Sequence, residues 1–120
     1  MPKYKVVEQS LYQKAFKKLS KTYKNIDSDI DSFLESIKVK EDLGIELKSN
    51  VFKVRIANSD KNKGKSSGYR LISYLTIIEN ELHLLYIYDK SKLVNLAEKE
   101  IDELILKQIN IKNWLIKNDK

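Results

Sequence analysis

The chain has 120 residues, of which 23 are basic and 17 acidic, so its net charge is +6. This length predicts a single domain, residues 1–120, with its own hydrophobic core. With no cysteine and one histidine, the chain lacks the residues for a disulfide framework, a cysteine nucleophile or a histidine-based metal site. No segment approaches the ~20 apolar residues of a membrane span, and we expect a cytoplasmic protein without membrane contact.

The first half of the chain predicts one strand, two helices and a connector. Residues 4–7 are typical of a short strand. Between residues 12 and 23, apolar side chains recur at helical spacing with lysines between them. Asp27 or Ser28 opens a second helix, whose early acidic residues suit the helix dipole. The stretch 40–50, which contains Gly44 and Asn50, is predicted to be a connector.

Three strands are predicted in the second half, at 51–57, 69–78 and 82–89. The last two are apolar on both faces, as the central strands of a sheet are. Residues 79–81 form a tight hairpin turn between them. The long polar loop at 58–67 is expected to project from the sheet, and Gly64 and Gly68 are expected to provide positive φ angles.

A last helix follows, with Asn95 as its predicted N-cap and Glu98 completing a capping box. It ends near Leu115 or breaks near Asn110. Its predicted buried stripe comprises Ile101, Leu104, Ile105, Ile111 and Leu115. The order β-α-α-β-β-β-α predicts an α+β fold, in which an antiparallel sheet of about four strands has the two N-terminal helices on one face, with a C-terminal helix completing the domain.

Basic side chains cluster on the first two of the three later strands. With a period of two, Lys53 and Arg55 face the same side, and Arg70 begins the next strand. Arg55 and Arg70 are the only arginines among the 23 basic residues, which indicates that a planar guanidinium is required at both places. We predict that the three residues share an open sheet face that binds a nucleic-acid phosphate. A solvated strand face without a ligand is the alternative.

Residues near this basic cluster extend the predicted site. The loop adds Lys61, Lys63 and Lys65, of which Lys65 is expected to reach the phosphate. Tyr69 and Tyr74 lie beside the cluster in sequence, and their rings are predicted to stack on bases.

Three other features of the sequence do not by themselves indicate a phosphate site. The stretch Gly64-Lys65-Ser66 is similar to a phosphate-binding loop, but Ser59 replaces the first glycine and the loop precedes a strand, so we reject that interpretation. His83 lies in an apolar strand and is interpreted as structural. The polar turn at 89–92 either holds catalytic groups or is an ordinary connector.

Four segments together resemble the RelE/ParE superfamily of toxin–antitoxin toxins, and among these the HigB-like branch of RelE-type toxins. They are FKVRI at 52–56, GKSSGYRLI at 64–72, LLYIYDK at 84–90 and NLAEKEI at 95–101. The resemblance covers residues 43–106 approximately. Ser67 stands where the HigB-like pattern has glycine.

The resemblance implies an mRNA interferase that acts in the ribosomal A site and is inhibited by a cognate antitoxin protein. It implies RNA contacts for Lys53, Arg55 and Arg70. Lys65 and Tyr69 match the HigB-like string, and Lys90 matches the basic residue after the last strand. Two departures concern the general acid: Ala97 stands in place of a functional tyrosine, and Ser91 in place of an arginine, with Lys92 one residue further on.

RNA cleavage requires activation of a 2′-OH, stabilisation of the phosphorane and protonation of the 5′-oxygen. We assign Arg55 and Arg70 as phosphate stabilisers, Lys53 or Lys65 as the proton acceptor, and Tyr69, Lys63, Tyr74, Lys90 and Lys92 as substrate-binding residues. No metal or cofactor is required if the 2′-OH is the nucleophile. Two alternatives stay open: a ParE-like toxin that acts on DNA gyrase, and a non-catalytic RNA- or protein-binding module.

Overall fold

A computed structural model describes the backbone of residues 4–61, 67–76, 78–93 and 97–118, and the side chains within these ranges up to residue 109. The strands are β1 (Lys5–Glu8), β2 (Ile45–Lys48), β3 (Val51–Ile56), β4 (Tyr69–Thr76) and β5 (Glu81–Asp89). The α-helices are α1 (Ser10–Ser20), α2 (Ile26–Ser36) and α3 (Glu98–Asn118), and short 3-10 helices span Lys40–Leu43 and Lys90–Lys92.

The five strands form one sheet in the order β1-β5-β4-β3-β2. β1 runs parallel to β5, and the other three pairs are antiparallel. The predicted α+β class is confirmed, but the sheet has five strands where about four were expected. The difference arises in the predicted connector at 40–50, which holds a 3-10 helix and the short edge strand β2. Gly44 and Asn50, which both have positive φ, flank β2 and confine it to a short segment. Its four residues are too few to produce a recognisable alternation of apolar and polar side chains.

Two apolar cores lie on opposite faces of the sheet. α1 and α2 cover one face, where Tyr12 and Ile26 pack with Leu71 and Leu82. α3 covers the other face, where its apolar stripe packs against Ile72 and other sheet residues. Because helices cover both faces, the central strands β4 and β5 must be apolar on both sides, as predicted.

The apolar stripe of α3 differs from the prediction at Leu104 and Ile109. Ile101, Ile105 and Ile109 are buried, whereas Leu104 is 52% exposed. The side chains of Ile111 and Leu115 lie outside the described residues. α3 continues through Asn110, and no helix in the described ranges is long and apolar enough to cross a membrane.

The helix starts also differ from the predictions. α2 begins at Ile26, before Asp27 and Ser28, and Asn25 precedes it without a side-chain cap. The predicted N-cap of α3, Asn95, lies outside the described residues. The capping box that it would form with Glu98 therefore stays a prediction. At the observed start of α3, the backbone N–H of Ala97 donates to the Glu100 carboxylate at 3.4 Å.

Gly68 is required for close packing and not for a positive φ angle. The prediction that it provides a positive φ is therefore wrong, and Gly64, for which the same was predicted, lies outside the described residues. The φ of Gly68 is not in the left-handed region, but a Cβ built on it would lie 2.1 Å from the carbonyl oxygen of Ile56. We expect Gly68→Ala to lower the free energy of unfolding by about 1–3 kcal/mol, since the backbone must shift to relieve this overlap. Urea unfolding measures the effect, with the exposed Ser32→Ala as a control expected to change little.

Candidate functional site

The predicted basic residues lie on one face of the sheet. Lys53 and Arg55 alternate along β3, and Arg55 pairs directly with Arg70 of β4. Residues directly opposite each other in an antiparallel pair point to the same side, so all three cations share a face. The prediction of a common face is confirmed. The prediction that this face is open is wrong for Lys53 and Arg70, because α3 packs on this side and brings carboxylates to them.

Two acidic residues of α3 neutralise the cations of the sheet. Asp102 accepts from the Lys53 ammonium at 2.7 Å, and Glu98 lies 3.4 Å from the same ammonium. Glu98 also accepts from Nε of Arg70 at 3.2 Å, and Arg70 is only 1% exposed. Because the two acids are four residues apart on α3, both project toward the sheet. Sequence analysis missed this role for both, although their i, i+4 spacing beside the buried Ile101 and Ile105 is a usable signal.

Tyr88 on β5 is a further polar group in this cluster. Its hydroxyl donates to the same carboxylate oxygen of Glu98 at 3.3 Å. Burial would raise the pKa of Glu98, but Lys53 and Arg70, together with the hydrogen bonds that the carboxylate accepts, outweigh burial and lower it. Burial and the charges of Asp102 and Glu98 raise the pKa of Tyr88, so its hydroxyl is protonated at neutral pH. The pattern of the sequence did not decide whether Tyr88 belongs to the core or to the site.

Arg55 is exposed, in contrast to its register partner Arg70. None of the ion pairs formed within the described ranges involves Arg55. Its side chain lines a groove of about 730 Å³ between β2, β3 and α3, and Lys53, Glu98 and Asp102 lie in the same groove. This volume falls within the range of about 300–1,000 Å³ that is usual for ligand sites. The groove is therefore a charged recess, and the exposed Arg55 side chain forms part of its wall.

The structure contradicts the stacking role predicted for Tyr69. Its side chain is 0% exposed and packs in the core beneath α1 and α2, on the face opposite the cations. Burial raises its pKa. Tyr74 does lie on the α3 side, where it packs with the apolar core, but it is four residues along β4 from Arg70, roughly 13 Å at the usual strand rise. Neither ring therefore lies beside the basic residues.

The predicted lysines do not all reach this site. The Lys90 ammonium lies 4.0 Å from the Glu98 carboxylate, so Lys90 joins the cluster. The Lys92 ammonium lies 5.5 Å from the ring centre of Tyr23, which belongs to the core on the other face, so Lys92 is turned away. Lys63 and Lys65 lie outside the described residues. His83 is structural, as interpreted, since its ring nitrogens bond to Gln9 and Glu81.

A second polar cluster surrounds Asp89 at the end of β5. The buried carboxylate accepts from the Tyr23 hydroxyl, from the Lys61 ammonium at 2.7 Å and from Ser91 at 2.8 Å. Lys61 also donates to the carbonyl of Ser67 and to the Ser91 hydroxyl, so its three N–H groups are all used. The turn at 89–92 thus holds both described ends of the 58–67 loop against β5. Lys61 does not extend the basic cluster, contrary to the prediction.

Burial would raise the pKa of Asp89, but the hydrogen bonds from Lys61, Tyr23 and Ser91 outweigh it and lower that pKa. The partner hydroxyl responds in the opposite sense: burial and the bond to Asp89 raise the pKa of Tyr23 to about 12. Among the side chains that the structure describes, no three metal-ligating residues are grouped as a metal site would require.

Comparisons with known proteins support the fold. No protein-family model and no curated protein matches the sequence. A solved structure of E. coli toxin RelE, a free-state mutant with two arginine-to-alanine substitutions, is 18% identical with a TM-score of 0.56, covering 88% of this chain and 97% of that one. A crystal structure of the isolated E. coli RelE toxin is also 18% identical, with a TM-score of 0.49, covering 88% and 98% respectively. The likeness to the free-state mutant shows that this chain has the fold of the RelE toxins.

Proposed function

We propose that this protein is the toxin of a type II toxin–antitoxin system and cleaves mRNA in the ribosomal A site. The observation that carries this proposal is the convergence of Lys53, Arg55 and Arg70 on one sheet face, with two of them contacting the same carboxylate oxygen. A carboxylate oxygen and a phosphate oxygen attract the same donors, so these cations suit a phosphodiester. Such a toxin works in the cytoplasm, where its substrate is translated.

The proposed reaction is a transfer within the RNA itself. The 2′-oxygen forms a bond to phosphorus and gives its proton to a general base. The bond from phosphorus to the 5′-oxygen breaks and that oxygen takes a proton from a general acid, which leaves a 2′,3′-cyclic phosphate and a free 5′-OH. Arg55 and Arg70 stabilise the negative charge that grows on the phosphorane oxygens. This sequence of steps uses the RNA 2′-OH as nucleophile and takes no chemistry from a cofactor.

Lys53 is assigned here to phosphate binding, because its ammonium contacts carboxylates in the free protein. The role of proton acceptor depends on neighbouring cations that crowd the ammonium. The charged groups that contact the Lys53 ammonium within the described ranges are instead the carboxylates of Asp102 and Glu98. Lys65, the other predicted acceptor, lies outside the described residues and stays a prediction.

RNA binding requires α3 to release the cations. Glu98 and Asp102 occupy the donors of Lys53 and Arg70 that a phosphate would use. The substrate must therefore displace these carboxylates, and the first turns of α3 move away from the sheet as it binds. We infer that the cognate antitoxin brings acidic groups of its own to the exposed side of the groove, where Arg55 lies, because complementary charge favours such a contact.

Arg55→Ala gives the cleanest test of this function, since Arg55 is exposed and its loss should hardly change stability. We expect mRNA cleavage to slow by about 10- to 100-fold, the usual worth of a hydrogen bond to a charged group. The measurement is the mapping of mRNA 5′ ends in a translation extract with purified protein. Lys14→Ala, an exposed lysine on α1 behind the sheet, is the matched control and should cleave at the original rate.

The same extract separates the rival functions. If the mRNA stays intact and the protein inhibits DNA gyrase, the result supports a ParE-like toxin and contradicts the proposed mRNA cleavage. Intact mRNA that is nevertheless bound supports a non-catalytic RNA-binding module. Equal rates of mRNA cleavage by Arg55→Ala and Lys14→Ala would show that Arg55 does not belong to the site.

A further inference from the structure

Three donors from three neighbouring strands converge on one oxygen of the α3 carboxylate Glu98. They are the ammonium of Lys53 at 3.4 Å, Nε of Arg70 at 3.2 Å and the hydroxyl of Tyr88 at 3.3 Å. We propose that Tyr88 is the third member of a binding site for a phosphate oxygen, formed with Lys53 and Arg70, which Glu98 fills in the free protein. This inference rests on the proposed function and adds to it a residue with no role assigned above.

The register of the sheet places Tyr88 in one row with the two arginines, next to Arg70. Arg55 pairs with Arg70, and Arg70 pairs with Tyr88, so the three residues form a row across β3, β4 and β5 on the α3 side. Adjacent strands are about 4.8 Å apart, so the row spans roughly 10 Å. A single phosphodiester with its sugar oxygens can contact the whole row.

The chemistry of Tyr88 suits an uncharged donor within a cationic site. Its side chain is 6% exposed, and its hydroxyl remains protonated at neutral pH, so it donates to an anion and does not repel it. The three contacts to Glu98 are longer than the 2.7–2.9 Å typical of charge-assisted bonds, whereas the bond from Lys53 to Asp102 is 2.7 Å. Glu98 therefore fills the site with long contacts, which a better-placed phosphate oxygen can replace with shorter ones.

A purely structural role for Tyr88 predicts a different outcome. If its hydroxyl only fastened α3 through Glu98, removing Glu98 would make the hydroxyl irrelevant. If the hydroxyl contacts phosphate, it must still matter when Glu98 is absent. A double-mutant comparison in a Glu98→Ala background separates these two roles.

The experiment measures binding of a single-stranded RNA oligonucleotide with 2′-O-methyl groups, which cannot be cleaved. Tyr88→Phe in the Glu98→Ala background is expected to bind about tenfold more weakly than Glu98→Ala alone. Tyr86→Phe is the matched control, because Tyr86 lies on the same strand and face and its ring centre is 6.0 Å from that of Tyr88. The salt dependence should also be unchanged in Tyr88→Phe, whereas Lys53→Ala should reduce the slope by about 0.7.

Equal affinities of the Tyr88→Phe and Tyr86→Phe proteins overturn the inference, as does the absence of RNA binding by every variant. If binding depends on Tyr88 but the translation extract shows no mRNA cleavage, the phosphate site stands and the nuclease proposal falls. Circular dichroism verifies that each variant is folded. If Glu98→Ala lowers stability too far, Tyr88→Phe and Tyr86→Phe are compared in the parent chain. Weaker RNA binding by Tyr88→Phe alone then supports the phosphate contact, because loosening α3 from the sheet would favour binding.

Discussion

Replacing Arg70 with alanine is expected to slow mRNA cleavage by about a thousandfold, the upper range for removing one preorganised donor from a site of developing negative charge. Arg70 is the central residue of the row formed with Arg55 and Tyr88, and it is almost completely buried. Its guanidinium also donates to the Tyr69 carbonyl at 3.3 Å, a contact within β4 that does not depend on α3, so it needs little reorganisation once Glu98 is displaced. Arg70→Lys keeps the charge but loses the planar fork, so we expect it to retain only part of the rate.

Arg70→Ala is also expected to lower the free energy of unfolding, by about 2–3 kcal/mol, which is less than the loss of a fully buried ion pair. The cost is moderated because the Glu98 side chain is 29% exposed and keeps its contact with Lys53. Leu84→Ala provides a control of comparable instability: Leu84 is 1% exposed in the core on the other face, and such truncations cost about 2–5 kcal/mol. Both variants are compared at a temperature at which unfolding curves show them folded. Equal cleavage rates for the two would contradict a catalytic role for Arg70.

The shared face of Lys53, Arg55 and Arg70 could be predicted because it depends on local periodicity. Alternation along β3 fixes Lys53 and Arg55, and an antiparallel neighbour adds Arg70. The same rule argues against Tyr69 as a stacking residue. Tyr69 is adjacent to Arg70 on β4, and adjacent strand residues point to opposite faces, so a site built on Arg70 excludes the ring of Tyr69.

Tyr88 could not be placed from the sequence, because its position depends on an irregularity in the sheet. The pairing of β4 with β5 shifts by one residue between Ile72 and Ser73, where Leu85 has no register partner of its own. Extending the register from the hairpin turn without this shift would place Ile87 opposite Arg70. The bulge instead brings Tyr88 to that position, and no turn residue in the sequence indicates where the bulge lies.

The carboxylates on the cations depend on tertiary packing. From the sequence, Glu98 is predicted only as part of a capping box and Asp102 has no predicted role. Their spacing places both on the buried side of α3, but the seating of α3 on the sheet decides that they meet Lys53 and Arg70. Lys61 shows the same limitation. Its loop position suggested a free cation for an anionic ligand, but the fold brings Asp89 within 2.7 Å and uses its charge internally. Sequence patterns assign charges to faces, whereas pairing of those charges between elements requires the assembled fold.

The second large effect is expected at Asp89, where the isosteric Asp89→Asn should lower the free energy of unfolding at pH 7 by about 3 kcal/mol, the lower end for breaking a buried ion pair. The substitution leaves the Lys61 ammonium without its charged partner and removes one acceptor from the bonds made by Tyr23 and Ser91. The Lys61 side chain is 17% exposed and can reach water, which limits the loss. Urea unfolding at pH 7 measures the difference.

The pH dependence of this difference tests its cause. The pKa of Asp89 is lowered in the folded protein from the unfolded value of about 3.9. Its contribution to stability is therefore complete above the unfolded pKa and is lost as the pH falls through the folded pKa. We expect the stabilities of the parent and the Asp89→Asn variant to converge as the pH is lowered below about 4. The variant itself should still lose stability in acid, because the pKa of Glu98 is lowered too.

An exposed carboxylate of α2 provides the control for this titration. Glu35→Gln should match the parent at every pH, because Glu35 lies on the surface and its neutralisation changes little. A constant difference between the parent and Asp89→Asn from pH 7 to pH 3 would contradict the proposed cause, since it would mean that the effect arises from packing and not from the charge of Asp89. Convergence of the parent with Asp89→Asn in acid instead shows that the charge of one buried carboxylate, paired with Lys61, stabilises the fold.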